Sequence, residues 1–192
     1  MSTWIIVLRA VSVLAFVGPM LLLGRGERHQ EPLTRANSDG GSRAPVLANF
    51  SAFALFLPSL FIFAGRIEDA MALPLALALT GSLVALTGAA IVFRSRAELG
   101  SVWSLVPKSD QNLVTTGPYR LVRHPIYLGL VVLATGQALS FGSWPALVIV
   151  ACAIIPTFAW RARVEEKLLI DTFGEHYEVY RQRTNMVIPH LL

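Results

Sequence analysis

Apolar residues gather in five stretches along this chain: Trp4–Gly24, Val46–Gly65, Met71–Phe93, Ile126–Phe141 and Pro145–Trp160. The first three reach the roughly 20 residues that a helix needs to cross the hydrocarbon core of a bilayer. The last two are shorter and are separated only by Gly142-Ser143-Trp144. That spacing predicts a tight helical hairpin which crosses a thinned bilayer or stops short of its far face. After Trp160 the apolar positions Val164, Leu168, Leu169, Phe173, Tyr177 and Tyr180 follow a helical period. They predict an amphipathic helix lying outside the membrane, with Gly174 as its breaking point. The pattern is therefore that of an all-α, integral membrane protein of about five transmembrane helices with a cytosolic carboxyl-terminal helix. It forms one domain over residues 1–192, with three spanning helices in 1–93 and the hairpin in 94–192. The first stretch is read as a retained helix rather than a cleaved signal peptide. No basic residue precedes it, it is long for such a segment, and Gly24-Arg25 is a poor cleavage context.

Composition agrees with this reading. Of the 192 residues, 54% are hydrophobic and 15% charged, where soluble domains carry about 25% charged residues; mean hydropathy is +0.58. The net charge is +4, and its distribution says more than its sum. Fourteen of the sixteen Lys and Arg fall in segments that five spans place on one side: Arg25, Arg28, Arg35 and Arg43, then Arg94, Arg96, Lys108, Arg120 and Arg123, then Arg161, Arg163, Lys167, Arg181 and Arg183. Arg66 is on the other side, and Arg9 sits inside the first span near its start. The positive-inside rule then puts the amino terminus outside and the carboxyl terminus in the cytosol, in a multi-pass protein of the cell membrane. It makes Asp39, Ser109 and His190 cytosolic and Glu68 external. Anionic headgroups, rather than nucleic acid, are the natural partners of these basic residues. The single cysteine, Cys152, permits no internal disulfide.

Between the spans, Gly24–Pro45 is rich in Gly, Ser, Pro and charge and reads as a loop. Gly81, Ala85 and Ala89, with Gly88 beside them, form a small-residue face suited to close helix packing. Pro58 and Pro156 lie well inside their helices, and Pro19 near the end of its own; each should bend or loosen its helix. Arg94–Tyr119 is a long connection, with Leu99-Gly100 and Trp103 reading as an interfacial piece and Pro107–Asp110 as a turn.

Candidate chemistry concentrates in two places. Thr116-Gly117-Pro118-Tyr119-Arg120-Leu121-Val122-Arg123-His124-Pro125-Ile126-Tyr127-Leu128-Gly129 sets polar groups where the chain re-enters the bilayer. Such groups are costly unless paired, solvated or used. Pro125 disfavours helix at His124 and suits the first turn of the helix that follows, whose free N–H groups favour an anion. Gly129 leaves room for a ligand or a neighbouring helix. These residues also suit plain interfacial anchoring. In the second cluster, Arg161 and Glu165 are four apart on one helix face. They read either as a surface ion pair or as a site in which Arg161 meets an anionic substrate and Glu165 a polar or cationic ligand. Glu166 points a quarter-turn away, toward solvent. His29, His176 and His190 are isolated, no H-E-x-x-H or Cys-based pattern exists, and no metal is implied. Walker, G-x-G-x-x-G and G-x-S-x-G motifs are absent.

The segments Asn112-Leu113-Val114-Thr115-Thr116-Gly117-Pro118-Tyr119, Arg123 through Gly129, Arg161 through Glu166 and Phe173-Gly174-Glu175-His176-Tyr177 resemble the isoprenylcysteine carboxyl methyltransferase family, within the wider group that includes phospholipid methyltransferases. The resemblance runs from about Leu99 to Val187, and the first half carries no signature of it. It implies that residues 94–192 form the cofactor-binding catalytic half and hold S-adenosyl-L-methionine. Gln111, Asn112, Leu113 and Val114 then line the adenosine side, Tyr119, His124, Pro125, Ile126 and Tyr127 contact the cofactor, Glu165 binds it, and Arg161 is the substrate-contacting and catalytic residue. The implied acceptor is the carboxylate of a prenylcysteine-type or related lipid, a prenylated small molecule or protein that enters from the bilayer. Two other readings compete: transfer to a phospholipid or other lipid amine, and an NADPH-dependent membrane reductase of the steroid reductase type.

Overall fold

The computed structural model describes residues 3–27, 43–62, 74–100 and 113–187. Among the described residues six helices run in the order α1 Thr3–Glu27, α2 Arg43–Ile62, α3 Pro74–Leu99, α4 Pro125–Ser140, α5 Trp144–Phe173 and α6 Glu175–Arg183, and a 3-10 turn, Gly117–Arg120, precedes α4. No strand occurs among the described residues. Among the described residues three helices are long and apolar enough to cross a membrane, at Ala44–Ile62, Leu75–Leu99 and Trp144–Phe173; Thr3–Pro19 of α1 and Pro125–Ser140 are shorter apolar helical segments. Large apolar side chains such as Trp4, Leu14, Phe50, Leu55 and Leu83 face outward. An apolar surface of that kind suits lipid rather than water.

Several helix ends shift by about three residues from the sequence expectation, α1 running to Glu27 and α2 starting at Arg43 inside the expected loop, and two boundaries differ by more. The third apolar stretch ends at Phe93, but α3 continues to Leu99, because Arg94, Arg96 and Glu98 are good helix formers and need no apolar solvent. The fifth stretch ends at Trp160, yet α5 runs unbroken to Phe173. The apolar hairpin arm and the amphipathic helix are one rod. Near its middle, Val150–Ile154 adopts π geometry just before Pro156, whose missing N–H and ring disrupt the regular ladder. The rod ends at Gly174, whose φ of +54° is disfavoured for a residue with a side chain; α6 then departs in a new direction. At the other end of α5, Ser143 caps the helix through Oγ, which accepts from the Ala146 N–H.

The bundle alternates in direction. Ser82 Oγ donates to the Leu8 carbonyl at 3.0 Å, and Gly18 lies against Phe93, so α1 and α3 run parallel. On α2 and α5, Ser143 Oγ donates to the Ser59 carbonyl at 2.9 Å and the Phe53 ring meets Phe158 edge-on at 6.1 Å; those two are antiparallel. Helices α3 and α4 pack most intimately. A Cβ on Gly88 would fall 2.3 Å from the Leu133 nitrogen, and one on Gly136 would fall 2.2 Å from the Ala85 nitrogen. Both contacts are impossible, so glycine is required for the approach. The small face on α3 thus meets a matching small face on α4, and the space beside Gly129 is filled by Val92 and the Gly88 backbone rather than by a ligand. Gly88→Ala should lower stability by about 1–3 kcal/mol, the usual cost of overpacking. Gly18→Ala should cost less, because its new methyl would meet only the tip of the Phe93 ring at 3.1 Å. Thermal unfolding in detergent checks the order; a larger loss at Gly18 would contradict the α3–α4 packing.

Candidate active site

The turn before α4 and the residues after α6 hold each other in place. The Arg123 N–H donates to the Asn185 carbonyl at 2.8 Å and the His124 N–H to the Met186 carbonyl at 3.0 Å, a short parallel pairing of Val122 with Asn185. Met186 and Val187 pack with Ala162, Tyr127 and Leu128, closing the end of the α4–α5 pair. Tyr180 Oη donates to the Tyr119 carbonyl at 2.7 Å. Burial pushes the Tyr180 phenol up to about 12 and raises that of Tyr119 too, with the Tyr180 phenol and the Glu165 carboxylate adding to the latter. Both tyrosines are neutral hydroxyls at any physiological pH. Nothing in the sequence marks residues 184–187 as part of the site; a two-residue apolar pair after a charged helix, Met186-Val187, is the only trace.

His124 has the non-helical backbone that a residue before proline favours, with φ −122° and ψ 62°. The first amides of α4 are partly used: the Tyr127 and Leu128 N–H groups both donate to the His124 carbonyl. This turn is therefore less open to an anion than the sequence suggests.

Two arginine–carboxylate pairs flank the His124 imidazole. Arg123 Nε donates to Glu166 Oε1 at 2.5 Å, and the same guanidinium donates through Nη1 to the carbonyls of Arg181 and Thr184. Glu166 is buried, not pointed into solvent as expected. A neighbouring segment supplies its partner, and charge pairing from a distant loop is invisible to helical periodicity. The pair ties α5 to the end of α6 and has a structural task.

The second pair is built differently. Arg161 Nε donates to Tyr127 Oη at 2.8 Å and to Glu165 Oε1 at 3.0 Å, and the Tyr127 hydroxyl itself donates to Glu165 Oε1. Arg161 Cζ lies 5.7 Å from the centre of the Tyr127 ring. That ring stacks between His124, at 5.4 Å and 5°, and Phe158, at 5.0 Å and 23°. The Arg161 terminal nitrogens make no hydrogen bond among the described residues. The Glu165 Oε2 atom has only His124 Nδ1 nearby, at 3.6 Å, too far for a hydrogen bond. His124 Nε2 is buried and has no hydrogen-bond partner among the described residues, lying 3.6 Å from Glu166 Oε1.

Of the residues singled out in the sequence, the structure brings His124, Tyr127, Arg161 and Glu165 into one cluster, with Tyr119 close enough for its hydroxyl to feel Glu165. Pro125 is buried as the start of α4. Ile126 points into the hydrophobic core with Leu130 and Phe158. Leu113 and Val114 are half-buried, and no hydrogen bond among the described residues ties them to the cluster. Gln111 and Asn112 lie outside the described residues, as do Trp103, the turn at Pro107–Asp110 and the marker positions Asp39, Glu68, Ser109 and His190.

Comparison with known proteins matches residues 76–176 to the phospholipid methyltransferase family model. That range takes in most of α3, which lies upstream of the motifs readable in the sequence, and so includes the glycine-mediated α3–α4 contact. The chain is 35% identical over 80 residues to the protein-S-isoprenylcysteine O-methyltransferase of Schizosaccharomyces pombe, covering 42% of this chain and 34% of that protein. It is 39% identical over 84 residues to its Saccharomyces cerevisiae namesake, covering 44% and 35%. It is 41% identical over 76 residues to methanethiol S-methyltransferase 1 of Bradyrhizobium diazoefficiens, covering 37% and 24%. The chain spans about a third of the length of the curated relatives it matches. With more than half of its 192 residues inside the family match and the motif residues gathered at one end of the bundle, this chain belongs to the phospholipid methyltransferase family.

Proposed function

We propose that this chain is an S-adenosylmethionine-dependent membrane methyltransferase that methylates the carboxylate of a prenylcysteine-type lipid at the cytosolic face of the membrane. The observation that carries this reading is Arg161: its Nε is held by Tyr127 and Glu165, while its terminal nitrogens are left for a ligand. A guanidinium anchored in that way presents a planar two-donor edge, matched to a carboxylate.

The residues fit the cofactor. When bound, S-adenosylmethionine supplies an electrophilic methyl group on a sulfonium. A sulfonium is a cation, and the Glu165 carboxylate favours a cation. Glu165 Oε2 and His124 are the polar atoms best placed to hold its charged and polar groups, with Tyr119 behind them. Gln111, Asn112, Leu113, Val114, Pro125 and Ile126 complete the proposed binding segment, the last two by shaping the start of α4.

Transfer to an ionised carboxylate asks for no general base, so His124 and Glu165, the two basic groups of the cluster, are free to serve the cofactor. What these residues do is orient and exclude water: Arg161 fixes the acceptor oxygens, and the His124–Tyr127–Phe158 stack walls one side. Orientation of this kind lowers a barrier by roughly 7–11 kcal/mol at best. The charge split along the chain supports a cytosolic site, with the cofactor arriving from water and the lipid from the bilayer. An amine acceptor gains nothing from an adjacent guanidinium, and a reductase would need a further site for a nucleotide phosphate.

Calorimetric titration of the detergent-solubilised protein with S-adenosylhomocysteine and with NADPH tests the class of reaction. Saturable binding of the former alone is expected; binding of NADPH alone would overturn the reading.

A further inference from the structure

The inward face of α2 is apolar except for Asn49 and Ser59. Pro45, Ala52, Phe56 and Leu60 are buried there, and among them sits Asn49, only 7% exposed. Among the described residues neither its Nδ2 nor its Oδ1 has a hydrogen-bond partner. Other buried polar side chains of the bundle have at least one partner: Ser12, Ser59 and Ser95 bond to carbonyls of their own helix, Ser82 and Ser143 to carbonyls of another, Arg9 to carbonyls at the end of α4, and Gln137 through Nε2 to the Ser12 carbonyl, although its Oε1 has none among the described residues. Burying an amide without partners is costly, and a bilayer offers no water to relieve it. An orphaned amide is thus a sign of a missing partner.

Its position says which partner. Phe53 lies four residues further along the same helix and meets Phe158, which stacks on Tyr127. The opposite end of α2 is fixed by Ser59 at Ser143. Asn49 is therefore about 6 Å of helix rise from Phe53, on the side of the Tyr127–Arg161–Glu165 cluster. Resting on the function proposed above, we infer that Asn49 reads the acceptor: its side-chain amide pairs with a secondary amide that the acceptor carries next to its carboxylate. A side-chain amide offers donors and an acceptor together, the complement of an N–H and a C=O on adjacent atoms. With Arg161 on the carboxylate, the preferred acceptor is an N-acylated or peptide-linked amino acid rather than a simple fatty carboxylate. The residue comes from the amino-terminal half, which carries no readable motif.

The test uses the full chain in detergent, wild type and Asn49→Leu, with two acceptors: N-acetyl-S-farnesylcysteine and S-farnesylthiopropionate, which keeps the thioether and carboxylate but lacks the amide. The variant should lose about tenfold or more in kcat/KM on the first, as expected for a lost hydrogen-bonded pair, and stay within about twofold on the second. S-adenosylhomocysteine affinity should be unchanged. The thermal midpoint should hold or rise, since the variant removes an unpaired polar group, whereas a structural asparagine would lower it. Equal losses on both acceptors, weakened S-adenosylhomocysteine binding, or a lower midpoint with unchanged acceptor preference would overturn the role of Asn49. If the wild-type protein methylates neither acceptor, the proposed function itself fails, before any variant is compared, and this role falls with it.

Discussion

Arg161→Ala should reduce methyl transfer to a prenylcysteine carboxylate by a hundredfold or more, while S-adenosylhomocysteine affinity stays within a few-fold. The asymmetry follows from the geometry. The terminal nitrogens of Arg161 are uncommitted among the described residues and, in the proposed role, serve the acceptor; charge-assisted hydrogen bonds to it contribute about 1.5–3 kcal/mol each. Glu165 does not lose its only support in the variant, because the Tyr127 hydroxyl still donates to the same oxygen. Arg161→Lys should recover only part of the activity. A lysine ammonium restores the charge but not the planar fork that presents two parallel donors to a carboxylate. Steady-state kinetics beside calorimetry separates the outcomes. A variant that loses cofactor affinity in step with activity would show that Arg161 belongs to the cofactor side.

Glu165→Gln should do the reverse. An amide keeps the shape but lacks the charge that favours a cation beside Tyr127, and it no longer pairs with Arg161. Cofactor affinity should fall roughly ten- to a hundredfold. His124→Ala should weaken cofactor binding too, since it removes one face of the stack on Tyr127. The pair Arg123–Glu166 is a built-in comparison. Glu166→Gln disturbs a buried ion pair that braces α5 against the end of α6, so its main effect should be on thermal stability. If Glu165→Gln and Glu166→Gln proved equally damaging to cofactor affinity in folded protein, the division of the two adjacent carboxylates into binding and bracing would be wrong.

That division shows where sequence reasoning stops. Helical periodicity put Arg161 and Glu165 on one face because four residues make about one turn, and the structure has them bonded. The proline after His124 placed the start of α4 within one residue, since both restrictions of the His-Pro pair are local. Small residues on α3 announced a close neighbour, though not that α4 would answer with Gly129 and Gly136. What escaped was decided at long range. Glu166 reads as solvated from its own helix, yet Arg123, 43 positions earlier, buries it. Asn49 is unremarkable in an apolar run until its helix is seen to turn that face inward. The tail at Met186 pairs with His124 through backbone atoms alone, and backbone pairing leaves no mark on side-chain chemistry. Hydropathy likewise ended the fifth stretch at Trp160, because it records where lipid ends and not where a helix does.

The most direct measurement is methyl transfer itself. Purified wild-type protein, given S-adenosylmethionine labelled in its methyl group, is offered N-acetyl-S-farnesylcysteine in one reaction and phosphatidylethanolamine in another. Label should enter the prenylcysteine as a base-labile methyl ester, with none in the amine lipid. Robust labelling of phosphatidylethanolamine with none in the prenylcysteine would contradict the carboxylate assignment of Arg161 and make the acceptor an amine.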